Sequence, residues 1–227
     1  MASTVTLQNT VDWARTFTKL MPIVSVGGFT NEPAISICNQ VLQELLSPPY
    51  NWKWNRVELA DFDTVDKTQD YTISTLSDVG WLEQCIAELK SGTSTPKPRR
   101  EIEVVRDLPL TSVVESLTKI CKLKEVTTTT VFRTWPIPSS EIETIKLVYQ
   151  KKPVIKVLLT ETWTPVPDEL QWVVRQGFLA WALKHADDNR AEREMATFYG
   201  AIARALGLHD MERRHEGLYP DRSILMG

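Results

Sequence analysis

The chain has 227 residues, of which 24% are charged and 42% are apolar, and its formal net charge is −3. These values are typical of a folded globular protein and exclude a disordered or collagen-like chain, while the length allows one large domain or two small ones. The lack of net basicity gives no support for a dedicated nucleic-acid-binding protein.

The cysteines and the apolar runs indicate the compartment. Three cysteines are scattered along the chain without a CxxC spacing, which indicates reduced thiols. The first residues, MASTVTLQNTVDW, lack the pattern of a signal peptide, and no apolar run approaches the roughly 18 residues of a membrane span. We therefore expect a soluble protein that is made in the cytoplasm and has no membrane contact.

Two amphipathic helices are predicted at the start of the chain. Apolar residues recur at helical spacing in residues 6–20 and, more strongly, in residues 31–47. Thr30 or Asn31 can cap the second helix, and Pro33 suits its first turn. The two prolines after residue 47 end this helix, because proline lacks the donor that a helix interior needs.

A pair of tryptophans follows the second helix in the sequence NWKWN. The spacing puts Trp52 and Trp54 on one face of an extended segment, with Lys53 on the other. The pair could form a platform for a base or a sugar. We favour packing against the 31–47 helix, because large aromatic side chains supply much of the burial in cores and interfaces.

Residues 56–159 contain short runs that alternate or are rich in β-branched residues. They predict a mostly antiparallel sheet folded into a sandwich or a barrel-like region, in which the third and fourth runs form a hairpin. The third run could instead be a helix, and residues 113–117 could be a helical turn or a loop. The runs are 57–62, 70–75, 81–89, 101–105, 118–126, 131–137 and 144–152.

A helix hairpin is predicted over residues 165–206. Pro167 ends an extended linker, and Asp168 is expected to cap the first helix, with Gln171 completing a capping-box-like pair. From residue 170 to residue 183 this helix is apolar on nearly every side. Such a helix in a soluble chain lies in a core or in a subunit interface.

The two helices of the hairpin are expected to have different roles. Trp172, Phe178 and Trp181 of the first helix are predicted to be core residues, covered in part by the 31–47 helix and the tryptophan pair. The second helix is predicted to end at Gly207. Its charged face from Arg190 to Arg204, together with the segment beyond Gly207, is expected to contact neighbouring subunits.

These elements predict an α+β protein. A helical bundle would be built from residues 1–55 and 160–208, with the mostly antiparallel β-sandwich or barrel-like region of residues 56–159 inserted between them. Residues 209–227 would form a C-terminal arm, either disordered or ordered against a neighbour.

The sequence carries few signs of catalytic or cofactor chemistry. The sequence contains no phosphate-binding loop, dinucleotide-binding fingerprint, zinc-protease motif, nucleophile elbow or calcium loop. His209 and His215 lack the paired spacing of metal ligands, so we expect no metal and no cofactor. Acidic residues and tryptophans could serve a carbohydrate-active enzyme, although acids in loops are usually solvated surface. They are Asp61, Asp63, Asp66, Glu141 and Glu143, with Trp52, Trp54 and Trp135.

Lysines and arginines cluster on the predicted β edges, where charged residues discourage aggregation between strands. The same clusters could contact the phosphates of passing DNA without reading its sequence. We favour edge protection. The clusters are Lys97, Arg99 and Arg100, then Lys119, Lys122 and Lys124, then Lys146, Lys151, Lys152 and Lys156.

Four segments together resemble a family of phage structural proteins. They are NEPAISICNQVLQELLSPPYNWKWNR (31–56), DVGWLEQC (78–85), IKLVYQKKP (145–153) and WTPVPDELQWVVRQGFLAWAL (163–183). Their apolar anchors, prolines and order resemble the head-to-tail adaptors of tailed bacteriophages, of the tail tubular protein A type. The resemblance covers most of residues 31–206.

The resemblance implies a non-enzymatic virion protein of the neck that is made in the host cytoplasm. Such adaptors form a homo-oligomeric ring, typically of twelve copies, which binds the portal protein and tail or nozzle proteins and surrounds the DNA that leaves during ejection. No catalytic residues can be carried over. The candidates for structural or interface roles are Pro33, Trp52, Trp54, Pro167, Asp168, Gly177, Phe178, Arg190, Arg193, Arg204 and Tyr219.

The sequence is also compatible with three other functions. A tail-tube, terminator or baseplate protein would differ from an adaptor only in its neighbours within the virion. A carbohydrate-active enzyme would use the acidic and tryptophan residues, and a DNA-binding module would use the basic clusters.

Overall fold

A computed structural model describes residues 3–16, 31–59, 61–72, 78–90, 99–109, 111–115, 117–126, 129–139 and 142–216. The chain is α+β. It divides into two compact units, of which unit 1 comprises residues 1–55 and 153–227 and unit 2 comprises residues 56–152. Residues 153–159, which the sequence analysis assigned to the β-rich region, group with unit 1 because they follow the last strand and carry no strand of their own.

Unit 1 holds the helices, which are α1 (Leu7–Thr16), α2 (Asn31–Leu45), α3 (Gln171–His185) and α4 (Ala191–Glu216), with short 3-10 turns at Lys53–Asn55 and Asp168–Leu170. Glu32, just before Pro33, has extended backbone angles, so the regular part of α2 begins at Pro33. Helix α4 runs nine residues past the predicted end at Gly207. A single glycine costs a helix only about 1 kcal/mol, and no proline follows within α4.

Helix α3 lies at the centre of unit 1, in contact with α1, α2 and α4. Its buried residues include Val173, Val174 and Phe178, which share one apolar cluster with Leu42 of α2 and Phe198 of α4. Contact with three other helices explains why α3 is apolar on most of its sides.

The N-terminal segment is fastened to residues 159–163 of the same unit. The backbone N–H of Leu7 donates to the Glu161 carbonyl at 2.9 Å, and that of Trp163 donates to the Val5 carbonyl at 3.1 Å. The buried Trp163 indole donates to Thr10 Oγ1 of α1 at 2.8 Å. These bonds satisfy polar groups that burial would otherwise leave unpaired.

Unit 2 holds the strands. They are β1 (Arg56–Glu58), β2 (Phe62–Asp63), β3 (Asp70–Thr72), β4 (Val79–Leu89), β5 (Arg99–Glu101), β6 (Glu103–Val104), β7 (Val114–Glu115), β8 (Ile120–Val126), β9 (Thr129–Trp135), β10 (Ile137–Pro138) and β11 (Glu143–Lys151). One sheet has the order β1-β11-β4-β5 with β2 also on β11, a second has the order β3-β9-β8-β6, and β7 pairs with β10. The described pairs are antiparallel except β6–β8 and β7–β10.

The long strands β4 and β11 carry the core of unit 2. In their antiparallel register Cys85 lies opposite Leu147 and Ala87 opposite Ile145. All four side chains belong to one buried apolar cluster that also contains Phe132 of β9. Residues 81–89 are therefore strand rather than helix, and cross-strand contacts with β11 stabilise them in that form.

Two short strands correct the sequence-based prediction. The run 101–105 divides at the buried Ile102, so that β5 pairs with β4 in the first sheet while β6 pairs with β8 in the second. Residues 113–117 contain β7, which is neither a helical turn nor a loop. Pairings of two residues leave no periodic signal in a sequence, because a period of two needs several repeats to be seen.

Candidate interaction surfaces

The tryptophan pair lies at the end of α2. Trp52 is fully buried, and its indole N–H donates to the Leu45 carbonyl at 2.5 Å. Trp54 lies in a 3-10 turn, not in the extended segment that was predicted, and its ring centroid is 5.4 Å from that of Trp52. The pair packs against the apolar cluster of unit 1. A buried Trp52 ring cannot serve as an exposed platform for a base or a sugar.

Gly177 and Phe178 are also core positions. A Cβ atom at Gly177 would lie 2.6 Å from Cε2 of Phe198 and 3.0 Å from Cγ1 of Val41, so glycine allows α3 to approach both α4 and α2. Phe178 is fully buried, as predicted. Neither residue is available on the surface for a partner.

The structure corrects the prediction for Trp172. It was predicted to be a core residue, but 40% of it is exposed. The guanidinium of Arg204 on α4 lies over its ring at 5.8 Å from the centroid, a cation–π arrangement that covers one side of an aromatic surface. Trp181, the other tryptophan of α3, is partly buried against the core. The sequence could not distinguish the two, since both lie on an apolar helix.

Asp168 binds the N-terminal segment. Its carboxylate accepts hydrogen bonds from Ser3 Oγ at 2.7 Å, from the Thr4 backbone N–H at 3.0 Å and from Thr4 Oγ1 at 2.5 Å. These bonds, from Thr4 and then Ser3, hold the pKa of Asp168 below its usual range. Asp168 is thus a link between two segments that are distant in sequence.

The predicted helix cap at Asp168 is therefore wrong. The chain enters a 3-10 turn at Asp168, preceded by the buried Pro167, and no side chain caps either this turn or the start of α3 at Gln171. The carboxylate that could have capped the helix is engaged by residues 3–5 instead. A capping motif is local in sequence, whereas its competitor here is not.

The start of α4 carries a charged surface. The Arg190 guanidinium forms a fork with the Asp188 carboxylate, with distances of 2.9 Å and 2.7 Å. Its hydrogen bonds hold the pKa of Asp188 at about 2. Arg193 pairs with Glu194 at 2.9 Å while its own side chain is 76% exposed. Arg193 is therefore more available to a partner than Arg190, whose donors are occupied by the turn.

Arg204 is exposed on the same helix, next to Trp172. Tyr219 lies outside the described residues, as do Glu141 and Lys97 among the other candidates.

Several basic side chains of unit 2 are paired with carboxylates. The pairs include Arg99 with Glu88, Lys119 with Glu115, Lys122 with Asp107, Lys146 with Asp61, and Lys151 with Asp78. Such pairing reduces the local positive charge that DNA phosphates would attract. It also engages Asp61, one of the acids considered for an enzyme.

Among the acids of that set that the structure describes, Glu143 is the most buried. Its side chain is 1% exposed and pairs with Arg100 at 2.5 Å, while its second oxygen accepts the Thr118 N–H at 2.9 Å. This arrangement joins β11 to β5 and to the segment before β8. A carboxylate buried in this way is committed to Arg100 and Thr118, so that its removal would leave the arginine without its partner, and it cannot reach a substrate in solvent.

One surface was missed by the sequence analysis. Residues 154–158, hereafter the 154–158 segment, expose four apolar side chains while the lysine among them is only 7% exposed. The exposed fractions are 62% for Val154, 77% for Ile155, 67% for Val157 and 52% for Leu158. An alternation of one charged and several apolar residues does not show which set points inward.

Hydrogen bonds hold the 154–158 segment in place. The Asn39 side chain of α2 accepts the Lys156 N–H at 2.8 Å and donates to the Lys156 carbonyl at 3.0 Å. Glu161 Oε1 accepts the N–H groups of Val157 at 2.8 Å and Leu158 at 2.9 Å. These bonds hold the pKa of Glu161 below its usual range. The segment is therefore an ordered apolar surface.

Comparison with known proteins identifies the family. Among the residues that the structure describes, no helix has the length and apolarity to cross a membrane, and no group of three or more histidines, cysteines and acids is placed to hold a metal ion. No curated protein matches the chain. Residues 7–222, nearly the whole chain, match the family described as SU10 adaptor protein. The chain therefore belongs to this family of structural phage proteins and is a phage head-to-tail adaptor protein.

Proposed function

We propose that the chain forms an adaptor ring in the neck of the virion, where it joins the portal to the tail and forms part of the channel for DNA. The match to the adaptor family over residues 7–222 carries this proposal. The ring would comprise twelve copies, as the resemblance of the sequence implies. In this proposal the helices of unit 1 act as a bundle and unit 2 as an inserted β-sandwich.

The charged surface of α4 is proposed as one contact of the ring. Arg193 and Arg204 are exposed there, and exposed charges at the rim of an interface chiefly set association rate and partner choice. We expect Arg193→Glu to slow ring assembly and to change its salt dependence. Glu58→Lys, an exposed reversal of charge in unit 2, is the matched control.

Location in the particle is the direct test. A short peptide tag can be inserted between Asp66 and Lys67, because both residues lie in an exposed turn of unit 2. Imaging of tagged particles should place the label at the junction of head and tail. A label on the tail tip or along the tube would overturn the proposal.

Cross-linking decides between the adaptor and the other virion proteins considered. An adaptor should cross-link to the portal as well as to a tail protein, whereas a tail-tube or terminator protein should cross-link only to tail proteins. Mass measurement of the isolated complex tests the twelve copies.

The enzyme alternative has less support. Glu143 is buried with Arg100, and Asp61 pairs with Lys146 at 3.3 Å. Trp52 is fully buried and cannot stack a sugar. A sugar-cleaving site would need acids that can reach the substrate. A cell-wall digestion assay of the wild-type protein would reveal such an activity. Asp61→Asn, which removes one of the candidate acids, would be the control variant.

A further inference from the structure

We infer that the 154–158 segment is a subunit contact and that its occupant is a second copy of this chain. The inference rests on the proposed ring and names one surface through which neighbouring copies meet. It depends on the polarity, the area and the rigidity of the segment.

The polarity of the segment is inverted relative to a solvent-facing surface. Lys156 is 7% exposed, with its ammonium 3.9 Å from Glu161, while Ile155 beside it is 77% exposed. A segment that met only water would gain by exposing the lysine and burying the isoleucine. Instead, the bonds from Asn39 and Glu161 fix the opposite arrangement.

The area fits one side of a subunit interface. Four apolar side chains at the observed exposures present roughly 300–400 Å² in one stretch of chain, within the range of surface patches that are often functional. A standard interface takes about 800 Å² from each partner, so the segment would supply nearly half of one side. The centres of interfaces between copies of one chain are more apolar than the rest of the protein surface.

A second copy is the occupant that this surface favours. Copies of the chain are present together from synthesis onward, and a net charge of −3 on 227 residues opposes their association only weakly. In a ring each copy presents one surface to the copy on its left and another to the copy on its right. The 154–158 segment would be one of these two surfaces.

The segment is also prepared for binding. The carboxylate of Glu161 and the amide of Asn39 hold its backbone before any partner arrives. Little conformational entropy is then lost on association, which favours a tight contact.

Self-association of purified protein gives the first test. The double variant Ile155→Asp/Val157→Asp should associate at least about 100-fold more weakly than the wild type in sedimentation experiments over a range of concentrations, because each buried charge costs about a factor of ten or more. At a dilution where both proteins are monomeric its melting temperature should equal that of the wild type, since both side chains are exposed in the single chain. Val65→Asp and Val114→Asp, at valines that are 56% and 57% exposed in unit 2, should associate like the wild type.

Photo-cross-linking within the particle gives the second test. A benzoylphenylalanine at position 155 should yield covalent products between two copies, recognised by mass spectrometry of particles made from a mixture of isotopically light and heavy chains. The same group at position 65 should not.

The results of these tests distinguish failure of the proposed subunit contact from failure of the proposed adaptor function. Products with another virion protein, products with residues 217–227 of the same copy, or no product at position 155 would each overturn the inference. The proposed function would still stand if the position-65 protein is found at the junction of head and tail. Absence of the chain from that junction would instead overturn the proposed function.

Discussion

Replacing Gly177 with alanine is expected to destabilise unit 1, although alanine is the better helix former. The new Cβ would lie 2.6 Å from Cε2 and 2.9 Å from Cζ of Phe198, and 3.0 Å from Cγ1 of Val41. Phe198 and Val41 are both fully buried, so neither can move into solvent to make room.

The magnitude follows from two opposing effects. Alanine gains about 1 kcal/mol over glycine in a helix interior. Overpacking a dense core by one methyl group costs about 1–3 kcal/mol, and two buried neighbours on different helices place this site in the upper part of that range. We expect a net loss of about 1–2 kcal/mol in the free energy of unfolding, which lowers the melting temperature by roughly 2–8 °C for a chain of this size.

Gly200 supplies the matched control. It lies in α4 and is exposed, and a Cβ atom added there would have no neighbouring atom within 4 Å. Gly200→Ala should therefore raise the free energy of unfolding by about 0.5–1 kcal/mol, the gain in helix propensity alone. Urea titration of both variants checks the pair. If Gly177→Ala were as stable as Gly200→Ala, the close packing of α3 against α4 would be refuted.

Three further predictions concern polar and thiol groups. Asp168→Asn should speed hydrogen exchange at the amides of Thr4 and Val5, which donate to the carboxylate. In the wild type the lowered pKa of Asp168 means that this protection persists above about pH 3.9 and is lost as the pH falls through the folded-state pKa. Glu143→Gln should lower the free energy of unfolding in urea by about 2 kcal/mol, because Arg100 loses its carboxylate partner but stays partly solvated. Asp66→Asn, at an exposed ion pair, is the control and should change the free energy of unfolding by less than about 0.5 kcal/mol. The three cysteine thiols should resist Ellman's reagent in the native state and react on unfolding, since all are buried and burial raises the pKa of Cys38.

The main helices could be predicted because their signals are local and repeated. Helix α2 combines apolar spacing over four turns with Pro33 at its start, and α3 carries an uninterrupted apolar stretch. The long strands β4 and β11 were predicted for the same reason, since nine or more residues reveal a pattern of period two.

Features that depend on distant residues could not be predicted. Asp168 has the residue type and spacing of a helix cap, yet it binds residues 3 and 4, more than 160 positions away. Ile102 divides a run that looks like one strand, because β5 and β6 pair with strands of different sheets. In both cases the local sequence predicts one arrangement, and hydrogen bonds to residues distant in the sequence produce another.

The surface expected to contact other subunits differs between the sequence and the structure. The sequence predicted subunit contacts on the charged face from Arg190 to Arg204 and beyond Gly207, and it left either a core or a subunit interface open for α3, which is too apolar for a surface. In the structure α1, α2 and α4 cover it, so most of its apolar surface needs no partner. The 154–158 segment was not predicted as a surface: it follows the last predicted run, which ends at residue 152, and the structure shows that its apolar side chains face outward while hydrogen bonds hold its backbone. Exposed apolar side chains that the fold holds in place are a stronger reason to expect a partner than an apolar helix, because a helix can be covered by its own chain.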